Sequence, residues 1–73
     1  MQPETGTIQL WINGEVRTVQ AGLSVADLLA ELGVRAEGVA VERNRLVVRR
    51  HDHATCALQA QDRIEIVQFV GGG

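Results

Sequence analysis

The sequence lacks the features that mark membrane, secreted or metal-binding chains. Its 73 residues contain no lysine, one cysteine and one proline. No apolar run approaches the roughly 20 residues that a membrane-spanning helix needs, and no basic segment precedes an apolar one as in a secretory signal. Cys56 alone can form neither an internal disulfide nor a cysteine-rich zinc site. We therefore expect a soluble protein of the reducing cytoplasm.

Charge and size exclude further classes of function. All seven basic side chains are arginines scattered along the chain, and the formal net charge is −2, which argues against a nucleic-acid-binding role. With 45% apolar residues the chain is typical of a globular protein. A domain of this length uses its interior for its own packing and leaves little room for a substrate cavity. We therefore expect that the chain is not an enzyme on its own.

A β-hairpin opens the ordered part of the chain. Ile8, Leu10 and Ile12 alternate with Gln9 and Trp11, which predicts a strand. Asn13-Gly14 then supplies two residues that tolerate positive φ. A two-residue turn would place Glu15 and Arg17 on the buried face. A three-residue loop instead pairs Ile12 with Val16. We therefore expect the longer loop, with a bulge, and a second strand that starts at Val16.

One amphipathic helix follows the hairpin. Ser24 is a good N-cap, and Asp27 stands three residues later, where a carboxylate favours a helix N-terminus. Gly33 occupies the position that usually needs a left-handed conformation at the end of a helix. The spacing i, i+3, i+4, i+7 places four apolar residues in one stripe: Val25, Leu28, Leu29 and Leu32. This pattern predicts a helix over residues 25–32.

Three more strands complete the predicted fold. Val39 and Val41 alternate with their neighbours in a third strand, a turn at Asn44 leads to a short strand that begins at Leu46, and the last strand covers residues 63–69. Ile64 and Ile66 of the last strand should face inward, and Leu58 should plug the core beneath a loop. The order predicts an α+β protein of the β-grasp class, with a mixed sheet of about five strands and one helix packed across it. We expect a flexible leader over residues 1–6, a domain over residues 7–70, and a flexible glycine tail over residues 71–73.

The polar run before the last strand offers only weak candidates for chemistry. His51 and His53 would face the same side of a strand and could chelate one metal ion, but two imidazoles without a third ligand fit an exposed polar loop better. Cys56 fits a core position better than a reactive thiol, because no cluster of cations clearly activates it. We therefore expect no metal site, and a solvated loop over residues 49–53.

The tail is the strongest functional candidate. Gly71-Gly72-Gly73 follows the last strand with no charged residue after it. Frayed disorder is one explanation of such a terminus. Alternatively, three extended residues span about 10 Å, and a segment without Cβ atoms can enter a channel that would reject any other residue. This alternative makes the Gly73 carboxylate a reactive group on an arm, with Gly71 and Gly72 as the arm.

A docking patch could accompany the tail. Val67 and Phe69 alternate with the inward-facing isoleucines of the last strand, so we expect them, with Val70, to form an apolar surface for a partner. Packing of the same three residues in the core is an equally good interpretation of the pattern.

Four segments of the chain match the pattern of one protein family. They are Ile12–Glu15, Ser24–Leu29, Val39–Asn44 and, most specifically, Asp62–Gly73. Over residues 7–73 the chain resembles the ThiS-type sulfur carriers of thiamin biosynthesis, which are ubiquitin-like β-grasp proteins. One departure is Gln61, which stands where relatives commonly have glycine.

The resemblance implies a chemistry and a set of partners. A ThiF-like adenylyltransferase would use ATP and Mg²⁺ to adenylate the Gly73 carboxylate. A sulfur donor such as a cysteine desulfurase would supply persulfide sulfur, and a ThiG-like thiazole synthase would take it from the resulting thiocarboxylate. The chain would then be a protein cosubstrate that binds no cofactor itself. Three alternatives stay open: the small subunit of molybdopterin synthase, a ubiquitin-like modifier joined to target lysines through Gly73, and a purely structural interaction module.

Overall fold

Five strands form one mixed sheet with a single α-helix packed against it. A computed structural model of the chain describes residues 6–69. The elements are β1 (Thr7–Ile12), β2 (Glu15–Gln20), α1 (Val25–Leu32), β3 (Val39–Arg43), β4 (Leu46–Val48) and β5 (Arg63–Gln68). The strand order is β2-β1-β5-β3-β4, with β1 and β5 parallel and the other neighbours antiparallel. This architecture confirms the predicted α+β, β-grasp class.

The ends of the chain lie outside this description. The predicted glycine tail, Val70 and all of the predicted leader except Gly6 are not among residues 6–69. Within the described residues no helix is both long and apolar enough to cross a membrane.

The helix begins and ends at the residues that the sequence predicted. The hydroxyl of Ser24 accepts a hydrogen bond from the Asp27 N–H at 3.1 Å, and the Asp27 carboxylate accepts one from the Ser24 N–H at 3.0 Å. This reciprocal capping satisfies two donors that the first helical turn leaves unpaired. Gly33 ends the helix with φ 73°, a conformation that costs glycine little.

The core lies between the helix and one face of the sheet. Its buried apolar residues are Leu10, Val19, Val25, Leu28, Leu29, Val39, Val41, Leu58 and Ile64. Leu58 belongs to the segment between β4 and β5 and is buried in this cluster, which confirms the prediction that it fills the core beneath a loop. Ile66 and Leu32 are half-buried and pack against this cluster.

The register of the first hairpin differs from the prediction. Asn13 and Gly14 have φ of 50° and 85° and form a two-residue turn, so Ile12 pairs with Glu15 and Leu10 pairs with Arg17. The prediction of a three-residue loop was wrong because it assumed that the whole face of the second strand is covered. β2 is an edge strand whose only buried residue is Val19. The two charged side chains are exposed and cost little there.

The loop after β4 is also more ordered than predicted. Residues 50–52 form a 3₁₀ turn, and His53, the next residue, is only 5% exposed. Its Nε2 donates to the carbonyl oxygen of Val48 at 3.1 Å. The prediction of a solvated loop is therefore confirmed for His51, which is exposed. It is wrong for His53, because the turn folds this imidazole back over the end of β4.

Candidate functional site

The start of β5 is fixed by a buried carboxylate. Asp62 precedes the strand and accepts hydrogen bonds from the Arg43 Nε at 2.8 Å, the Gln59 N–H at 2.8 Å and the Asn44 side-chain amide at 3.0 Å. Burial raises the pKa of Asp62, but these hydrogen bonds and the Arg43 charge outweigh it and hold that pKa below its ordinary value of 3.8. The cluster joins the β3–β4 turn to β5.

The other end of β5 is held through its backbone. The side chain of Asn13 accepts a hydrogen bond from the Ile66 N–H at 2.8 Å and donates to the Ile66 carbonyl oxygen at 3.2 Å. It thereby continues the β1–β5 pairing beyond the end of β1. One residue past the strand, the Phe69 N–H donates to the Gly38 carbonyl oxygen at 2.9 Å. The backbone is thus paired up to Phe69, immediately before the segment that carries the glycine tail.

The side chains at this end of β5 face away from the core. Val67 is 58% exposed and Phe69 is 64% exposed, whereas Ile64 of the same strand is completely buried. Of the two interpretations of this pattern, core packing is therefore excluded for Val67 and Phe69. Val70, the third residue of the expected docking patch, lies outside the described residues, as do Gly71, Gly72 and Gly73.

Four further side chains share this open face of the sheet and were not singled out in the sequence: Ala40, Glu42, Val47 and Glu65. Ala40 lies opposite Val67, and Glu42 lies opposite Glu65. Val47 of β4, 69% exposed, lies opposite Glu42. We call the exposed apolar residues Val47, Val67 and Phe69 the open-face patch. Alternation within each strand could have assigned these residues to faces, but only the strand order brings them together.

Beside Phe69 the surface has an open depression of about 380 Å³. Its only charged lining side chain is Arg35, and its other lining residues are Gly33, Val34, Gly38, Val39, Gln68 and Phe69. The surface of the domain therefore contains a larger depression than the length of the chain suggested. The lining contains no carboxylate, imidazole or thiol, so this depression supplies no acid, base or nucleophile.

The remaining candidates do not assemble into a site. Residues 6–69 contain no group of three or more His, Cys, Asp and Glu side chains that could hold a metal ion. Cys56 is half-buried and packs against the core. His51 lies 3.6 Å from the carboxylate of Asp52, and both side chains are largely exposed.

Comparison with known proteins places the chain in a family. The model of the ThiS family matches residues 10–73. The chain belongs to the ThiS family. The sulfur carrier protein ThiS of Bacillus subtilis is 37% identical over 65 residues, which are 88% of this chain and 98% of that protein. The crystal structure of ThiS from Geobacter metallireducens, a thiamine biosynthesis protein, superposes with a TM-score of 0.79 at 36% identity, over 90% of this chain and all of that one.

A longer relative has a different name. The thiazole synthase of Magnetococcus marinus is 44% identical over 66 residues, which are 90% of this chain but only 20% of that protein. This chain thus spans one fifth of that relative's length. Membership of the ThiS family confirms the predicted family, and the match to the family model includes the glycine tail up to Gly73.

Proposed function

We propose that this chain carries sulfur as a thiocarboxylate on Gly73 and delivers it for thiazole formation in thiamin biosynthesis. The observation that supports this most directly is the family match, which extends through Gly73. The named relatives favour the thiamin branch over molybdenum-cofactor synthesis and over protein modification, because they are called sulfur carrier protein ThiS and thiazole synthase.

The proposed reaction begins by activating a poor electrophile. The Gly73 carboxylate attacks the α-phosphate of ATP on a ThiF-like adenylyltransferase, and pyrophosphate leaves. The acyl-adenylate then has a good leaving group, so a persulfide from a cysteine desulfurase or a similar donor attacks the carbonyl carbon and expels AMP. A second thiol attacks the donor's sulfur atom in the resulting acyl disulfide, so that a new disulfide forms on the donor side and the thiocarboxylate is left on Gly73. Thiazole synthase takes this sulfur and returns the carboxylate.

In this scheme the chain acts as a cosubstrate in the cytoplasm and the enzymes supply the catalytic groups. ATP and Mg²⁺ bind to the adenylyltransferase, and the persulfide belongs to the sulfur donor. Gly71 and Gly72 carry the reacting carboxylate into each active site, since a segment without side chains passes a narrow channel.

Docking of the folded surface complements the tail. Fixing each flexible residue costs roughly 1–2 kcal/mol, and glycine returns no side-chain contacts. Val67 and Phe69, which are exposed and shortly precede the tail in the sequence, therefore form the docking site in this proposal together with Val70. Burial of such side chains contributes about 1.5–3 kcal/mol each when it is complete.

The test is to weigh the intact protein after incubation with ATP, Mg²⁺, the adenylyltransferase and a sulfur source. We expect a mass gain equal to the replacement of one oxygen by one sulfur. Deletion of Gly73, or addition of one residue after it, should abolish the gain. Cys56→Ser is the matched control and should gain the same mass, because this thiol has no part in the scheme.

Two outcomes contradict the proposal. If the chain without Gly73 still acquires sulfur and Cys56→Ser does not, the carrier atom is the cysteine sulfur. If the chain instead forms adducts of high mass with other proteins, it is a modifier rather than a sulfur carrier.

A further inference from the structure

The depression beside Phe69 combines a positive charge with a wall that partly lacks side chains. Its only charged lining residue is Arg35, which is exposed and forms no ion pair within residues 6–69. Glu37, the acidic residue that follows most closely along the chain, does not line it. Gly33 and Gly38 belong to the wall, and a Cβ atom added at either glycine would meet no atom within 4 Å. The depression is therefore an open, cationic site that fits an anion on a narrow segment.

The end of β5 leads the chain towards this site. β5 runs antiparallel to β3, and just beyond it the Phe69 N–H donates to the Gly38 carbonyl oxygen at 2.9 Å. On the neighbouring chain, the residues up to Gly38 form a 3₁₀ turn over 36–38, which begins directly after Arg35. An antiparallel segment that continues beyond Phe69 therefore passes towards Arg35. Four extended residues span about 14 Å at most, and Phe69 and Arg35 line the same depression.

We propose that residues 70–73 of the same chain occupy this depression when no enzyme is bound, with the Gly73 carboxylate paired to the Arg35 guanidinium. In requiring a free carboxylate on Gly73 this contact rests on the proposed function, but it needs none of the sulfur chemistry. A guanidinium presents parallel N–H donors that match both oxygens of a carboxylate. The short tether gives the carboxylate an effective concentration in the millimolar range, so a contact that is weak between separate molecules is populated within one chain.

The contact is weak enough for an enzyme to displace it. An ion pair between exposed groups changes an equilibrium by about fivefold at most. Phe69 belongs both to the wall of the depression and to the open-face patch, so an enzyme that docks on this patch competes for the contacts that hold the tail. Recognition of the domain is thereby coupled to release of the tail.

The test is NMR spectroscopy of the chain that ends at Gly73, compared with Arg35→Gln and with Arg17→Gln as the matched control. Arg17 is exposed on β2, at one edge of the sheet, and also forms no ion pair within the described residues. We expect Arg35→Gln to shift the amide signals of Gly71 and Gly72 and to lower their order parameters, whereas Arg17→Gln changes neither. A chain with a carboxamide in place of the Gly73 carboxylate should show the same loss and should also shift the Arg35 Nε–H signal.

Gly38→Leu is a second variant, and it keeps every charge. The φ of Gly38 lies outside the left-handed region and its Cβ position is open, so the domain accommodates a leucine there, which fills part of the depression. This variant should change the tail signals as Arg35→Gln does. The thermal midpoint should stay nearly the same in both variants, because neither site is part of the core.

Tail signals that respond to neither Arg35→Gln nor the carboxamide would overturn the inference, as would a tail that stays in contact in Gly38→Leu. Equal changes in Arg17→Gln would also overturn it, since they would indicate a general effect of charge. Signals that change on dilution would assign the contact to the tail of a second copy and refute a contact within one chain. No enzyme is present in these measurements, so absence of the mass gain in the sulfur-transfer assay reports failure of the proposed function separately.

Discussion

Replacing Asp62 by asparagine should remove a large part of the stability of this domain. The Asp62 side chain is 5% exposed, and its two oxygens accept three hydrogen bonds, from Arg43, Gln59 and Asn44. Asparagine offers one oxygen and one NH₂ group in their place. In either orientation of the amide, its NH₂ group faces at least one donor, and that donor loses its partner.

The magnitude follows from the nature of these contacts. Breaking a buried ion pair from one side costs about 3–5 kcal/mol, and a hydrogen bond to a charged group contributes about 1.5–3 kcal/mol. The Arg43 side chain is one-third exposed, so water replaces part of what the guanidinium loses. We expect the free energy of unfolding of Asp62→Asn to fall by about 2–4 kcal/mol at neutral pH.

The same group makes stability depend on pH. Because the pKa of Asp62 is lower in the folded state than its ordinary value of 3.8, its contribution is fully present above that value. The contribution is lost as the pH falls from about 4 through the folded-state pKa. Below this range the carboxyl is protonated and resembles asparagine. The difference between the two proteins should therefore shrink in acid.

Urea unfolding followed by circular dichroism at pH 7 and at several values below 4 measures both effects. Asp52→Asn is the matched control, because Asp52 is about half exposed and its only ionic partner in the described residues is the exposed His51; this variant should lose little. A loss below about 0.5 kcal/mol for Asp62→Asn at pH 7, within the usual range of surface substitutions, would refute this account. A difference that persists unchanged in acid would refute the assignment of the pH dependence to Asp62.

Two further predictions concern residues that flank β5. Gln61→Gly should raise the free energy of unfolding by about 0.5–1 kcal/mol in the same urea assay. Gln61 has φ 73°, where a residue with a Cβ is strained by about 1–2 kcal/mol, and the entropy that glycine loses on folding offsets only part of the relieved strain. A lower stability of the variant would mean that the glutamine side chain makes a compensating contact. Phe69→Ala should weaken binding to the adenylyltransferase or the synthase about tenfold or more, the scale of a buried aromatic anchor, and leave the thermal midpoint nearly unchanged. Leu46→Ala is its control, because Leu46 is also exposed (73%) and lies opposite Arg43, which pairs with the start of β5 at Ile64. Unfolding of Phe69→Ala would show that this ring supports the core.

Local patterns predicted the helix, because the interactions that define its ends are local. Ser24 and Asp27 cap one end, and Gly33 ends the other, through contacts within a few residues. The alternation of β5 likewise predicted that Ile64 is buried. The sequence also predicts a turn at Gln61-Asp62, and the φ of 73° at Gln61 is a conformation that favours glycine.

The errors came from features that depend on neighbouring strands. The hairpin register was wrong because burial at Arg17 depends on how far the helix covers an edge strand, which the local pattern does not contain. The prediction that His53 is solvated is wrong because a polar run along the chain does not reveal the turn that folds its ring back onto Val48. The Glu42–Glu65 pair arises from the pairing of β3 with β5, and no spacing along the chain indicates it.

The side chains at the two ends of β5 are used in different ways. At the start of the strand, the side chain of Asp62 is used entirely for internal hydrogen bonds. At the other end, Asn13 and Gly38 hold the backbone at Ile66 and Phe69, while the side chains of the open-face patch stay exposed. A backbone that is already ordered loses little entropy when a partner binds. Under the proposed function, docking on this surface contributes free energy toward holding Gly73 in an active site, and the enzymes of that scheme use the same surface without refolding it.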